Sequence, residues 1–370
     1  MNKVKCFIVI FILFLTGCGN SVVQKVEVKT GVIKTEEKFV ADGYSSKVDD
    51  NNFLVENNGG LKLYELISKN LLKEIAIPKE QFILGYDISG DMITWSDTRN
   101  ETREMSTLGG EYNFNSDIFI YNIKTGDQKQ ITSDVSAQMQ PKLWKNYLVY
   151  ADNRNDTVKS YPGRWSLYLY DLNSAKEKLI TSTLSAHGDY SIRDNKIVWE
   201  DDRNFKGSDM VRGGDNVPEN NKDIYLFEMT TEKETPLANG KLMESKPDVS
   251  GDYVVYEDRN NGIGDADIVL YDIKTKEKVN ITKDEYNQGE PKIYGDYIVW
   301  MDERRGTSTN DVIINGQQPN SDIFIYNIKT KKEKLLTGDE PQISPSISTE
   351  WVSFTTSTQI NPIVEAFRYR

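Results

Sequence analysis

Apart from carboxylates, this chain has few side chains able to do chemistry. One of its 370 residues is histidine, His187, and its two cysteines, Cys6 and Cys18, both fall within the first twenty. Zinc held by a cysteine–histidine cluster therefore has no ligands to draw on, and no G-x-S-x-G nucleophile elbow is present. Imidazole titrates near neutral pH, so His187 with a carboxylate such as Glu290 would suit general acid–base hydrolysis. Without a converging partner the same residues are polar lining. The segment Asp258–Asp267, DRNNGIGDAD, offers oxygens for calcium near Asp258, Asp265 and Asp267. Its acids do not alternate as in an EF-hand loop, and an Asn/Gly/Asp-rich turn between strands explains it equally well. No other stretch asks for a cofactor.

One constellation recurs. Asp97/Arg99, Asp152/Arg154, Asp201/Arg203, Asp258/Arg259 and Asp302/Arg304 each follow a short apolar run ending in an aromatic. Further aspartates, Asp117, Asp223, Asp267 and Asp322, open a later apolar run in register. A residue repeated at one place in each copy serves the repeat, whereas a catalytic site needs different residues converging on one point. The pairs are therefore assigned a structural role.

The elements that carry these marks are short strands. Between Pro291 and Thr337 the chain reads PKIYGDYIVWMDERR, a polar insert, then SDIFIYNIKTKKEKLLT. Pro291–Ile293, Tyr297–Trp300, Ile323–Tyr326 and Lys334–Thr337 are β-branched or aromatic runs too short for helices, with Gly295-Asp296 as a turn pair. Four such strands make one antiparallel sheet that cannot bury both faces alone. The copies are present: Trp300 has counterparts at Trp95, Tyr150, Trp199, Tyr256 and Phe354, with a weaker copy at Phe53–Val55. The marks are spaced roughly 40 to 57 residues apart, the range of propeller blades.

The expected fold class is all-β, a seven-bladed β-propeller of four-stranded antiparallel blades. Blades are placed at about 44–80, 81–134, 135–183, 184–239, 240–283 and 284–338, with the seventh built from 339–370. That last copy lacks a fourth strand, while Glu36–Ala41 resembles a fourth-strand phrase with no blade before it. The last blade is therefore expected to be closed by this N-terminal strand, which removes open sheet edges.

Lys3 and Lys5 precede an apolar run, Phe7–Leu15, too short to span a bilayer and ending in Leu15-Thr16-Gly17-Cys18. This leader resembles that of bacterial lipoproteins, which implies lipidation of Cys18 and a lipid anchor on the extracytoplasmic side of the cell membrane. The domain reading is 1–17 signal peptide, 18–34 tether and 35–370 β-propeller. The repeat P-x-[IV]-x-G-D-x-[IV]-V-[WY]-x-D-x-R…D-I-[FY]-[IL]-Y-[DN] over nearly all of 44–370 resembles the TolB-like β-propellers of bacterial and archaeal envelope proteins. It is specific for fold and poorly specific for function.

Long inserts join second to third strands at Asn100–Ser116, Asn204–Lys222 and Arg305–Ser321, with a medium one at Asn155–Arg164. Insertions gathered on one face of a repeat array often mark the binding face. Tyr112, Phe114, Tyr161, Phe205 and Met210 in these inserts are candidate ligand anchors, alternatively a satellite cluster packed across the top. His187 and Glu290 are candidates at the channel mouth, whose rim is expected to include Gln140, Asp189, Lys246, Glu290 and Ser344. A formal net charge of -12 excludes nucleic acid as partner. The expected role is a non-catalytic platform for an envelope protein or cell-wall ligand. The alternatives are a glycan- or peptide-cleaving enzyme at the central channel and a purely structural envelope subunit.

Overall fold

The computed structural model describes residues 37–57, 60–78, 81–103, 114–156, 165–184, 188–204, 222–238, 243–259, 266–305, 321–337, 341–356 and 362–370. Among them every regular element is a strand. After β1 (Lys38–Asp42), the strands β2 (Ser45–Asp49), β3 (Asn52–Asn57), β4 (Gly60–Glu65) and β5 (Asn70–Ala76) form one antiparallel sheet in chain order. A second is β6 (Ile83–Ser89), β7 (Met92–Asp97), β8 (Asp117–Asn122) and β9 (Gln128–Gln130).

Two further groups follow: β10 (Gln138–Trp144), β11 (Tyr147–Asp152), β12 (Trp165–Asp171) and β13 (Lys176–Leu184), then β14 (Tyr190–Arg193), β15 (Lys196–Asp201), β16 (Asp223–Glu228) and β17 (Lys233–Ala238). They share one hydrogen-bonded sheet because the end of β13 touches β15 at the single pair Leu184–Asp201. β13 thus runs to Leu184, one residue past the expected blade limit. The next sheets are β18 (Glu244–Ser250), β19 (Tyr253–Asp258), β20 (Asp267–Asp272), β21 (Lys278–Asn280), and β22 (Gln288–Tyr294), β23 (Tyr297–Asp302), β24 (Asp322–Asn327), β25 (Lys332–Leu335). The final group is β26 (Gln342–Ile347), β27 (Trp351–Thr356) and β28 (Ile363–Arg368). β1 pairs antiparallel with β28, Lys38 opposite Phe367 and Asp42 opposite Ile363, so the order is β1-β28-β27-β26.

Second strands read as unbroken apolar runs because both their faces are covered. In β19, Val254 and Tyr256 pack with Val198, Leu226 and Val249, while Val255 points the other way, to Ile293, Ile298 and Trp300. In β23, Trp300 belongs to that cluster and Val299 to the next, with Ile347, Val352 and Phe354. In β3, Leu54 joins Ile93 and Trp95, whereas Phe53 and Val55 join Phe39, Trp351 and Val364 of the C-terminal group. The period-two alternation therefore selects between two neighbouring sheets rather than between core and water.

The recurrent acid–arginine pair is a clasp at the end of the second strand. Asp201 is fully buried and accepts the Trp199 indole N–H at 2.9 Å. It also accepts the Arg203 amide at 2.9 Å and the Arg203 Nε and Nη2 at 2.9 and 2.6 Å. The guanidinium lies 4.1 Å from the Tyr225 ring, which stacks on Trp199 at 5.8 Å. Arg99 repeats this on Asp97 beside Trp95 and Phe119, and Arg304 on Asp302 beside Trp300 and Phe324. Arg154 does so on Asp152 with Tyr168. The third-strand aspartates have a related use, since the Asn100 and Asn204 side-chain amides donate to Asp117 and Asp223, each at 2.6 Å.

Asp258/Arg259 departs from the pattern. Its arginine follows the acid directly, and the residue opposite Tyr256 is Val269, which offers no ring for a guanidinium. Arg259 instead approaches Glu257 at 3.8 Å.

Candidate functional site

The first strands β2, β6, β10, β14, β18, β22 and β26 border one cavity of about 380 Å³. Along each, Val48, Ile88, Leu143, Ile192, Val249, Ile293 and Ile347 are buried. The residues just before them, Lys47, Asp87, Lys142, Ser191, Asp248, Lys292 and Ser346, form one level of the cavity wall.

Two residues earlier, Gln140, Lys246, Glu290 and Ser344, each followed by proline, take φ values of 54, 52, 55 and 55°. The strand register slips at each position, as at a β-bulge. A left-handed non-glycine residue costs about 1–2 kcal/mol, and such strain persists where surroundings over-determine it. At three of the four, carboxylates do so. The Lys246 amide donates to Glu200 at 3.1 Å, that of Glu290 to Glu257 at 2.8 Å, and that of Ser344 to Glu290 at 2.8 Å. Gly85 occupies the same place with φ 121°, and a Cβ there would fall 2.7 Å from the Gln140 Cα.

One level deeper, side chains tie strand to strand. Asp87 accepts the Leu143 amide and Asp248 the Ile293 amide, both at 2.8 Å, and the Ser191 hydroxyl donates to Asp248 at 2.5 Å. The Val48 amide donates to Ser346 at 3.3 Å.

The electrostatics are set by lysines. Lys246 Nζ lies 3.7 Å from both Asp189 and Glu290. Burial alone would push the Asp189 carboxyl up, but the fields of Lys246, Lys292, Lys142 and Lys222 outweigh it and hold it below its usual range. Burial, reinforced by repulsion from Lys142 and Lys292, pushes the Lys47 ammonium down to about 8, with Asp87 and Glu290 opposing. Among the described residues Lys47, Lys142 and Lys292 have no ion-pair partner.

Of the residues singled out in the sequence, Gln140, Asp189, Lys246, Glu290 and Ser344 all border this cavity. Phe114 packs, partly buried, against the cluster containing Ala137, Met139 and Trp165. Cys18, Tyr112, Tyr161, His187, Phe205, Met210 and Asp265 lie outside the described residues. Asp258 and Asp267 are cross-strand neighbours in β19 and β20, and Asp267 is buried with the Thr282 hydroxyl 3.5 Å away. Lys47, Lys142 and Lys292 were not anticipated. The signal was available, since the pleat brings the second residue beyond a rim position back to the same side.

Comparison with known proteins establishes the class. No protein-family model matches the chain, and no curated protein sequence matches it. Solved structures do. The β-propeller domain of the Trilobed protease from Pyrococcus furiosus, described as having an open velcro topology, superposes with a TM-score of 0.59 at 13% identity, covering 90% of this chain and 94% of that one. An oligogalacturonate lyase in complex with manganese gives 0.55 at 12% identity, covering 90% of each chain. TolB from Acinetobacter baumannii gives 0.45 at 13% identity, covering 89% of this chain and 80% of that one. The fold is a β-propeller. These likenesses include enzymes, and at such identities they establish the fold alone.

Proposed function

We propose that the chain is a seven-bladed β-propeller whose last blade is completed by β1, anchored through a lipid on Cys18 outside the cytoplasmic membrane. In this role it is a non-catalytic platform for an envelope protein or cell-wall ligand. Seven first strands around one cavity, and packing clusters that run from sheet to sheet and from the C-terminal group back to β3, support the blade count. The β1–β28 pairing supports closure, in contrast to the open topology described for the Pyrococcus domain.

One observation carries the choice of binder over enzyme. Asp87, Asp248 and Glu290, which line the cavity, and Glu200 and Glu257, which reach the amides of the lining residues Lys246 and Glu290, are acceptors for main-chain N–H groups of adjoining strands. A carboxylate held this way positions backbone and is a poor candidate to shuttle protons. The enzymatic alternative, a glycan- or peptide-cleaving site at the channel using His187 and Glu290, draws support from the protease-domain and lyase likenesses.

The test is a cross-linking pull-down from envelope preparations, using the full chain and a variant with the inserts at 100–116, 204–222 and 305–321 cut to the length of 260–266. A partner captured by the intact chain and lost with the inserts supports the platform on the long-loop face. Turnover of a glycan or peptide substrate that disappears in Glu290→Gln and His187→Ala would replace it with the enzyme.

A further inference from the structure

We infer that the cavity is a binding site for a small polyanion carrying two or three carboxylate or phosphate groups, held by Lys47, Lys142 and Lys292. The inference deepens the binding role proposed above by naming a ligand class, and it rests on that role.

The three lysines come from β2, β10 and β22 and stand at one level of the wall, each immediately before the buried aliphatic residue that fixes its strand. In chain order they belong to the first, third and sixth of the seven strands, so they are distributed around the cavity. Of the other charges lining the cavity, the Arg193 guanidinium lies over the Tyr294 ring at 4.7 Å. Lys246 is shared between Asp189 and Glu290. Asp87 and Asp248 turn an oxygen each to the amide of an adjoining strand, and Glu56 accepts the Ser45 hydroxyl at 2.8 Å. The three ammonium groups are left without a hydrogen-bond or ion-pair partner among the described residues.

The electrostatics around Lys47 and Asp189 point the same way. The same two lysines, Lys142 and Lys292, depress both Lys47 and Asp189. Both groups therefore feel the positive charge of Lys142 and Lys292, although burial is the larger cause at Lys47 and the chain as a whole has a formal net charge of -12. An anion seated among the three would relieve their repulsion and restore the proton to Lys47, so binding takes up protons near and above pH 8. Charge-assisted hydrogen bonds to ammonium donors supply the affinity, and the cavity's limited volume selects a compact ligand.

The experiment is titration calorimetry on the full purified chain with citrate, with tripolyphosphate and with neutral glucose as probes. Lys47→Met, Lys142→Met and Lys292→Met are compared with the surface control Lys124→Met. Binding of at least one anion is expected, weakened about ten- to a hundred-fold by each cavity substitution and unchanged by the control. Citrate alone points to carboxylated ligands, and tripolyphosphate alone to phosphorylated ones. On the unsubstituted protein, heats measured at pH 8.5 in buffers of different ionisation enthalpy should report proton uptake, a readout that does not depend on any variant folding. Absence of binding by both anions, equal binding by the three cavity variants and the parent, or binding without proton uptake would each overturn the anion site. If the anions fail while the pull-down still captures an insert-dependent partner, the platform stands and only this site falls.

Discussion

Replacing Arg203 by methionine tests whether the recurrent clasp holds the blades together. Methionine keeps an apolar stem against Tyr225 while removing the guanidinium. What remains is the Asp201 carboxylate, 0% exposed, with the Trp199 indole, the residue-203 amide and the Thr183 hydroxyl at 2.9 Å as its donors. Breaking a buried ion pair by removing one partner costs about 3–5 kcal/mol. The arginine side chain is 28% exposed, which places this case toward the lower end. Loss of the contact over Tyr225 at 4.1 Å adds about 0.5–1 kcal/mol. The arm to Glu234 lies at 2.6 Å between partly exposed groups and contributes under about 1 kcal/mol. The expected cost is about 4 kcal/mol, read as a lowered urea midpoint by tryptophan fluorescence. Arg99→Met and Arg304→Met should fall in the same range because their geometries repeat. Arg259→Met is the internal control: it lacks the clasp and should cost less than about 1 kcal/mol. If Arg203→Met and Arg259→Met shift the midpoint equally, the clasp is not what the recurring pair provides.

Three further outcomes follow from the geometry. Gly85→Ala should lower the melting temperature, because its Cβ would sit 2.7 Å from the Gln140 Cα and its φ is 121°; unchanged melting would mean that β6 and β10 do not approach so closely. Lys47 titrates near 8 in the folded chain against 10.5 as its ordinary value, so the unfolded chain binds more protons between those limits and stability rises with pH there. Lys47→Met should therefore stabilise the protein at pH 7, by about 1 kcal/mol once water in the cavity has screened the unscreened limit of about 3 kcal/mol, and should flatten that slope; urea midpoints at pH 7 and 10 check both, and a Lys47→Met chain less stable at pH 7 would contradict them. Calcium chelation should leave the melting temperature unchanged, and a drop on adding chelator, reversed by calcium, would return the turn at Asp258–Asp267 to consideration.

The parts of the fold legible in the sequence were those where one physical demand repeats. A second strand covered on both faces has to be apolar throughout, so Tyr297–Trp300 and Tyr253–Tyr256 announce themselves. The clasp needs an aromatic, an acid two residues on and an arginine two further, which is why Trp199, Asp201 and Arg203 stand in register with Trp300, Asp302 and Arg304. Asp258 and Arg259 fall outside that rule. Arg259 was grouped with the other arginines by proximity, but a side chain one residue past Asp258 does not fold back as the others do, and Val269 gives it no ring. The strand added beside β28 was readable from an orphan phrase at Glu36–Ala41, and the structure pairs Lys38–Asp42 with β28.

The cavity is the opposite case, and its lysines show why. Lys47, Lys142 and Lys292 follow serine or proline in strands whose equivalent positions elsewhere hold aspartate or serine, so no repeat marks them. A site built from the differences between copies has no periodic signature. It becomes visible only when the pleat is counted inward from the rim and the charges on seven separate strands are summed at one level. Of those seven positions, four are committed to inter-strand bonds, as Asp87, Ser191, Asp248 and Ser346, and the remaining three are the lysines. A lysine at Lys47 that burial and like charge both disfavour gains nothing for folding. Its presence at a level shared with two other lysines is therefore best accounted for by something negatively charged that the cavity receives.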